Sequence, residues 1–210
     1  MYYQRTPLSL WLKEGEGPNL DFKVSITSRP KIARSIVAFA NSRGGKIIVG
    51  VEDNKRVVGA DIGGEEYELE KAAALFCQPA IELEFEEYET STQKMLLIAH
   101  VPESKEKPHY CIDRKGRKKI YVRIADECVV PTTMIAEMLK SGYMNKLERN
   151  HYYTIFKNEL VSYLKKNKRI SVSEYMKLKN CSERNAKRTL LDLLFEGVLQ
   201  INGKEEFLLK

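Results

Sequence analysis

Three carboxylates, Glu16, Asp21 and Asp53, together with Lys23, are the residues of this 210-residue chain whose types and spacing most suggest chemistry. If the segment holding Asp21 forms a strand beside the apolar run 47–51, Asp53 emerges at the end of that run and the three acids can converge. Hard oxygen donors of this kind suit Mg²⁺ or Mn²⁺. Such an ion could activate water and stabilise the leaving oxygen of a phosphodiester, with Lys23 neutralising phosphate charge. A metal is expected only on that nuclease reading; otherwise no cofactor is expected. The plainer reading, which residue types alone favour, puts Asp53 in a turn with Asn54, pairs Asp21 with Lys23 or Arg43, and leaves Glu16 solvated.

The second chemistry is electrostatic. Residues 1–140 hold 21 basic and 21 acidic side chains, whereas residues 141–210 hold 14 basic against 8 acidic, so the whole excess of six lies in the last third. A basic module joined to a neutral one suggests a polyanion, most often nucleic acid. Within the last third, Ser182 is a good N-cap for a helix that begins Glu183-Arg184-Asn185-Ala186-Lys187-Arg188. Arg184, Lys187 and Arg188 share one face by their three-four spacing. Arginine pairs with guanine, asparagine with adenine and lysine with phosphate, so Arg184, Asn185, Lys187 and Arg188 are candidate contacts to duplex DNA, with Lys204 on a neighbouring turn. In the neutral part, Arg114, Lys115, Arg117 and Lys118 crowd one predicted turn, where adjacent phosphates would attract them. The Glu82, Glu84 and Glu86 face is acidic and unsuited to that partner.

Other chemistries are excluded. Gly44-Gly45-Lys46 is followed by Ile47 and lacks the first glycine of a phosphate-binding P-loop. His100, His109 and His151 are scattered, and structural roles are expected of each. Cys77, Cys111, Cys128 and Cys181 form no CxxC pair and read as reduced thiols. No apolar run approaches the ~20 residues that span a bilayer, and 1–13 has no signal-peptide core. A cytoplasmic protein without a membrane partner is expected.

The elements that must position these residues follow from periodicity. A strand is predicted over 20–24, a helix over 30–41 with Ile32, Ala33, Ile36, Val37 and Ala40 on one face, and a central strand over 47–51. A second helix covers 65–77. Strands follow over 81–86 and 95–101, a pair over 109–112 and 119–124, and a helix over 131–139. The domain boundary falls at 141/142. Beyond it come a helix over 152–166 with Tyr152, Ile155, Phe156, Leu160 and Leu164 inward, a short helix over 173–178, the Ser182 helix to about Glu196, and strands around Asn202-Gly203, a strong hairpin signal. The expected architecture is α+β, a mixed sandwich in 1–141, followed by a winged helix-turn-helix in 142–210.

Glu16, Asp21-Phe22-Lys23, Ala40-Asn41-Ser42-Arg43-Gly44-Gly45, Ile48 to Asp53 and Tyr121-Val122-Arg123 together resemble the Schlafen AlbA-type domain, also labelled divergent AAA, over roughly Leu10 to Lys140. Bacterial members often carry a C-terminal helix-turn-helix and are called transcriptional regulators or RecG-like helicase-related proteins, so the resemblance implies a DNA-binding regulator. Animal Schlafen members imply the alternative, an endoribonuclease with an acidic triad, which maps onto Glu16, Asp21 and Asp53, with aspartate at 21 where glutamate is usual. Those nucleases fold a duplicated core into a clamp, which this single copy would match only as a homodimer. A protein-interaction scaffold is the third reading.

Overall fold

The computed structural model describes residues 8–142, 144 and 151–210, without the side chains of 151–154. Two compact units result. The first takes the residues up to Glu103 and His109–Val130; the second takes Ser104–Pro108 and Pro131 onward.

The first unit opens with helix α1 (Leu8–Glu14), strand β1 (Leu20–Lys23), helix α2 (Arg29–Asn41) and strand β2 (Gly45–Val49). Helix α3 (Ile62–Phe76) and the short β3 (Cys77–Gln78) lead to the hairpin β4 (Glu84–Glu89) and β5 (Met95–Val101). The four longer strands form a sheet in the order β1-β2-β5-β4. β1 and β2 are parallel, as a crossover through α2 requires, and the other pairs are antiparallel. Alternation along β2 explains its continuous apolar run: Ile47 and Val49 join the core beneath α2 and α3, while Ile48 packs with Phe22, Leu96, Ile98 and the helix α1. The central strand is thus covered on both faces, as its sequence predicts.

Helix α1 was not expected. Its inward residues Leu8, Trp11 and Leu12 have the right spacing, but at seven residues it is held by packing rather than by propensity. The strand expected over 119–124 is two pieces. β7 (Lys118–Lys119) pairs with β6 (Tyr110–Ile112), and β8 (Val122–Ile124) turns away to pair with β9 (Glu127–Val129), a strand the sequence reading missed.

The second unit contains α4 (Thr133–Lys140), α5 (His151–Asn167), β10 (Arg169–Ile170), α6 (Val172–Lys179), α7 (Glu183–Phe195), β11 (Leu199–Ile201) and β12 (Phe207–Leu209). Its antiparallel sheet runs β10-β12-β11. α4, assigned from sequence to the first domain, lies with its Met134 and Met138 beside the start of α7. One expectation is corrected. Leu160 and Leu164 are buried as predicted, but Ile155 and Phe156 are 40% and 41% exposed; Tyr152 lies among the side chains not described. The hairpin expected around Asn202-Gly203 is present as β11 and β12. The Asn202 Oδ1 accepts from the backbone N–H groups of Lys204 and Glu206, and Glu205, not Gly203, takes positive φ. Among the described residues no helix is long and apolar enough to cross a membrane.

Candidate nucleic-acid interface and acidic corner

β1 is an edge strand, so every second N–H points away from the sheet and needs a partner. Glu16 supplies one: its Oε1 accepts from the Phe22 N–H at 2.8 Å. Period-two alternation puts Asp21 and Lys23 on one face, where the Lys23 Nζ lies 2.8 Å from Asp21 Oδ2 and 3.7 Å from Glu16 Oε1. Burial, followed by the nearby Asp21 carboxylate, raises the Glu16 carboxyl above its ordinary range, although the Phe22 N–H opposes the shift.

The other partner of Asp21 is Arg123. This guanidinium, 2% exposed, donates from Nε to the Gly17 carbonyl at 3.0 Å and from Nη2 to the Leu20 carbonyl at 3.1 Å and Asp21 Oδ1 at 3.3 Å. It also lies over the Phe39 ring, 5.0 Å from its centroid. Arg43, the alternative partner weighed for Asp21, instead faces Glu103 at 3.7 Å.

Asp53 does not join this corner as a third ligand. It is exposed in the turn after β2, where Asn54 Oδ1 accepts from the Arg56 N–H and Arg56 pairs with Glu52. The side chain that reaches back from that turn is Lys55: a Cβ added to Gly15 would lie 3.1 Å from its Nζ. Among the described residues no group of three His, Cys, Asp or Glu side chains could hold a metal ion. The donor set therefore does not fit a shared divalent cation, for two reasons. Asp21 is committed to Arg123 and Lys23, and the approach from the Asp53 side brings a cation.

The motif 40–45 is architectural. Asn41 is fully buried; its Nδ2 donates to the His109 and Tyr121 carbonyls, both at 2.9 Å, and its Oδ1 accepts from the His109 N–H at 2.7 Å. It thereby ties the end of α2 to the strands beyond. Ser42 Oγ accepts from the Arg123 N–H at 2.8 Å. Gly45 is required by close packing, since a Cβ there would meet the Phe39 ring at 2.6 Å. Burial pushes the thiols of Cys77 and Cys111 up, away from reactivity.

The basic turn is well built. Asp113 Oδ1 accepts from the Lys115 and Arg117 N–H groups at 2.8 and 3.0 Å, and its Oδ2 accepts from Arg117 Nε at 2.6 Å. Gly116 supplies the left-handed residue, φ +74°. Arg114, Lys115, Arg117, Lys118 and Lys119 are all exposed. In the second unit, Ser182 Oγ caps α7 through the Asn185 N–H. Ala186 and Leu190 turn inward, and Arg184 and Asn185 are exposed. Lys187 pairs with Glu183 at 2.6 Å, and with Arg184 it lines a groove shared with Met134, Glu137 and Met138 of α4. Lys204 is exposed on the β11–β12 turn.

The family model described as Schlafen, AlbA_2 matches residues 16–132. That span covers the acidic corner, the Asn41–Gly45 motif, the basic hairpin and Arg123, and is more than half of the chain. The chain belongs to the Schlafen AlbA_2 family. Membership points to a nucleic-acid-related role. Solved structures similar to this AlbA_2 protein include the N-terminal domain of a RecG-related protein from Nitrosomonas europaea, 24% identical, with a TM-score of 0.45, covering 60% of this chain and 93% of that one. Another is a protein of Corynebacterium diphtheriae, 13% identical, with a TM-score of 0.43, covering 91% of this chain but 34% of that one. No curated protein matches. Sequence reasoning took Arg123 only as part of the AlbA_2 motif and did not single out Lys55 or Arg34. A lone arginine in an apolar strand, flanked by Val122 and Ile124, was the available sign that Arg123 is buried and paired.

Proposed function

We propose that this AlbA_2 protein is a cytoplasmic DNA-binding regulator of transcription that grips duplex DNA through both units. The observation that carries this reading is the hairpin turn at Asp113, which holds five exposed cations at adjacent positions with only one carboxylate, itself committed to the turn. A ridge of this kind matches the spacing of backbone phosphates and fixes position rather than sequence. The second unit is read as a winged helix, supported by the order α5, β10, α6, α7, β11, β12 and by its antiparallel sheet. On this reading α7 offers Arg184, Asn185 and Arg188 to base edges, Lys187 exchanges Glu183 for phosphate, and Lys204 touches the flanking backbone from the wing. As a homodimer the protein would present two such sets to a two-fold symmetric site. Among the described residues no third acidic donor groups with Glu16 and Asp21, so the geometry does not favour the endoribonuclease alternative.

Titration of labelled duplex DNA at several salt concentrations tests the proposal. The variant Arg114→Ala/Lys115→Ala/Lys118→Ala should lower the slope of log affinity against log salt by about 0.9 for each phosphate it no longer neutralises. Arg184→Ala/Arg188→Ala should cost roughly 1–3 kcal/mol for each base edge left unread and flatten sequence preference. Unchanged affinity and slope in both variants would overturn the reading.

A further inference from the structure

Behind the basic hairpin is a small cleft of about 100 Å³, lined by Pro30, Arg34, Cys111, Asp113, Arg117, Lys119 and Tyr121. Its charges are unevenly matched. The Asp113 carboxylate is held by the backbone N–H of Arg117 first, then by the Arg117 guanidinium and the Lys115 N–H, and these hydrogen bonds lower its pKa from the ordinary value. Asp113 thus remains an anion whose charge is consumed by the turn and by Arg117. Arg34 and Lys119 have no ion-pair partner among the described residues. Arg34 lies over the Tyr121 ring, 5.8 Å from its centroid, which restrains its long side chain at the mouth of the cleft. Pro30, in the first turn of α2, brings the positive end of that helix dipole to the same place.

We propose that this cleft is a subsite for one phosphate group of a nucleic-acid strand, held between Arg34 and Lys119, while the hairpin tip follows the neighbouring phosphates. Three features carry the assignment: a volume sufficient for a single phosphate, two cations without an ion-pair partner, and an Asp113 whose charge the turn already satisfies. Arginine binds phosphate through its planar fork and lysine as a point charge, so the pair is complementary to one tetrahedral anion. The subsite rests on the nucleic-acid reading above and deepens it. The phosphate group can come from within a strand or from its end.

The test uses the full chain and a labelled 12-base-pair duplex made with 5′-hydroxyl or 5′-phosphate ends. The variant Arg34→Met/Lys119→Met removes both cations at exposed positions; intact folding is checked by the fluorescence of Trp11. It should bind about tenfold more weakly, with a salt slope reduced by about 0.9, the value for one phosphate on duplex DNA. The charge-retaining variant Arg34→Lys/Lys119→Arg should recover most of the affinity. A weakening equal for both duplexes assigns the subsite to a backbone phosphodiester; a weakening confined to the 5′-phosphorylated duplex assigns it to a terminal monoester. Unchanged binding of both duplexes by Arg34→Met/Lys119→Met overturns the subsite. If the hairpin-tip variant still weakens binding in that case, the nucleic-acid reading stands without it; if neither the hairpin-tip variant nor Arg184→Ala/Arg188→Ala weakens binding, both fall.

Discussion

Arg123→Ala should be among the most damaging single changes in the first unit. Alanine removes hydrogen bonds to the Gly17 and Leu20 carbonyls at 3.0 and 3.1 Å and to Asp21 at 3.3 Å, together with the packing on Phe39. Hydrogen bonds from a charged donor contribute about 1.5–3 kcal/mol each, and breaking a buried ion pair costs about 3–5 kcal/mol. These figures overlap, because Asp21 keeps Lys23 at 2.8 Å. The net loss is therefore expected at about 3–5 kcal/mol, a large part of the ~5–15 kcal/mol that stabilises a domain. With a urea m-value of about 2 kcal/mol/M, the midpoint should fall by about 1.5–2.5 M. Trp11 is the only tryptophan of the chain and packs in the α1 cluster, with its ring centroid 6.5 Å from that of Tyr88, so its fluorescence follows the first unit alone. Arg123→Lys keeps the charge but cannot span three acceptors and should lose an intermediate amount. Asp21→Asn in the Arg123→Ala background should return part of the loss, since it removes the carboxylate left without its arginine. A loss below about 1 kcal/mol for Arg123→Ala, or full stability in Arg123→Lys, would refute the clamp; both magnitudes follow from the same hydrogen-bond figures.

Two further outcomes follow from the same geometry. The Glu16 carboxyl is raised above 4.5 by burial, so its protonation favours the folded state; that contribution is complete below pH 4.5 and is lost as pH rises through the raised value. Glu16→Gln keeps an acceptor for the Phe22 N–H without titrating, so it should gain stability over the parent as pH rises above 4.5 in urea melts. A difference that does not change with pH would contradict this. Gln93 is exposed and holds φ +59° in the β4–β5 turn; Gln93→Gly relieves left-handed strain of about 1–2 kcal/mol against the greater unfolded-state entropy of glycine, for a net gain of about 0.5–1 kcal/mol. A lower urea midpoint in that variant would refute the assignment of strain.

Much of the fold was legible because its signals are local. The three-four spacing of Ile32, Ala33, Ile36, Val37 and Ala40 marks α2, and the unbroken run 47–51 marks a strand covered on both sides. One local signal was passed over: Ser171 and Glu174 form a capping box that starts α6 earlier than Ser173 suggested. Where sequence reasoning failed, a distant partner or a neighbouring side chain decided the outcome. Within the expected hairpin the left-handed residue is Glu205 rather than Gly203, because the Asn202 side chain organises the turn. Ile155 and Phe156 satisfy helical spacing but lie on the half of α5 that the described residues leave exposed.

The sequence by itself determined most of the longer elements, the neutral-plus-basic charge division, the cation-rich turn at 114–118 and the family. These depend on residue type and on spacings of two or of three to four, which covalent geometry makes visible in one dimension. Only the tertiary structure decided what the charged residues do. It gave Asp21 to Arg123, 102 positions away in the chain, sent Lys55 rather than Asp53 toward the Glu16 loop, and brought Arg34 of α2 and Lys119 of β7 to the lining of one cleft. A charge reads the same in sequence whether its counter-ion is near or far. Whether it becomes a metal ligand, a clamp or a phosphate ligand depends on which opposite charge and how much water folding leaves beside it.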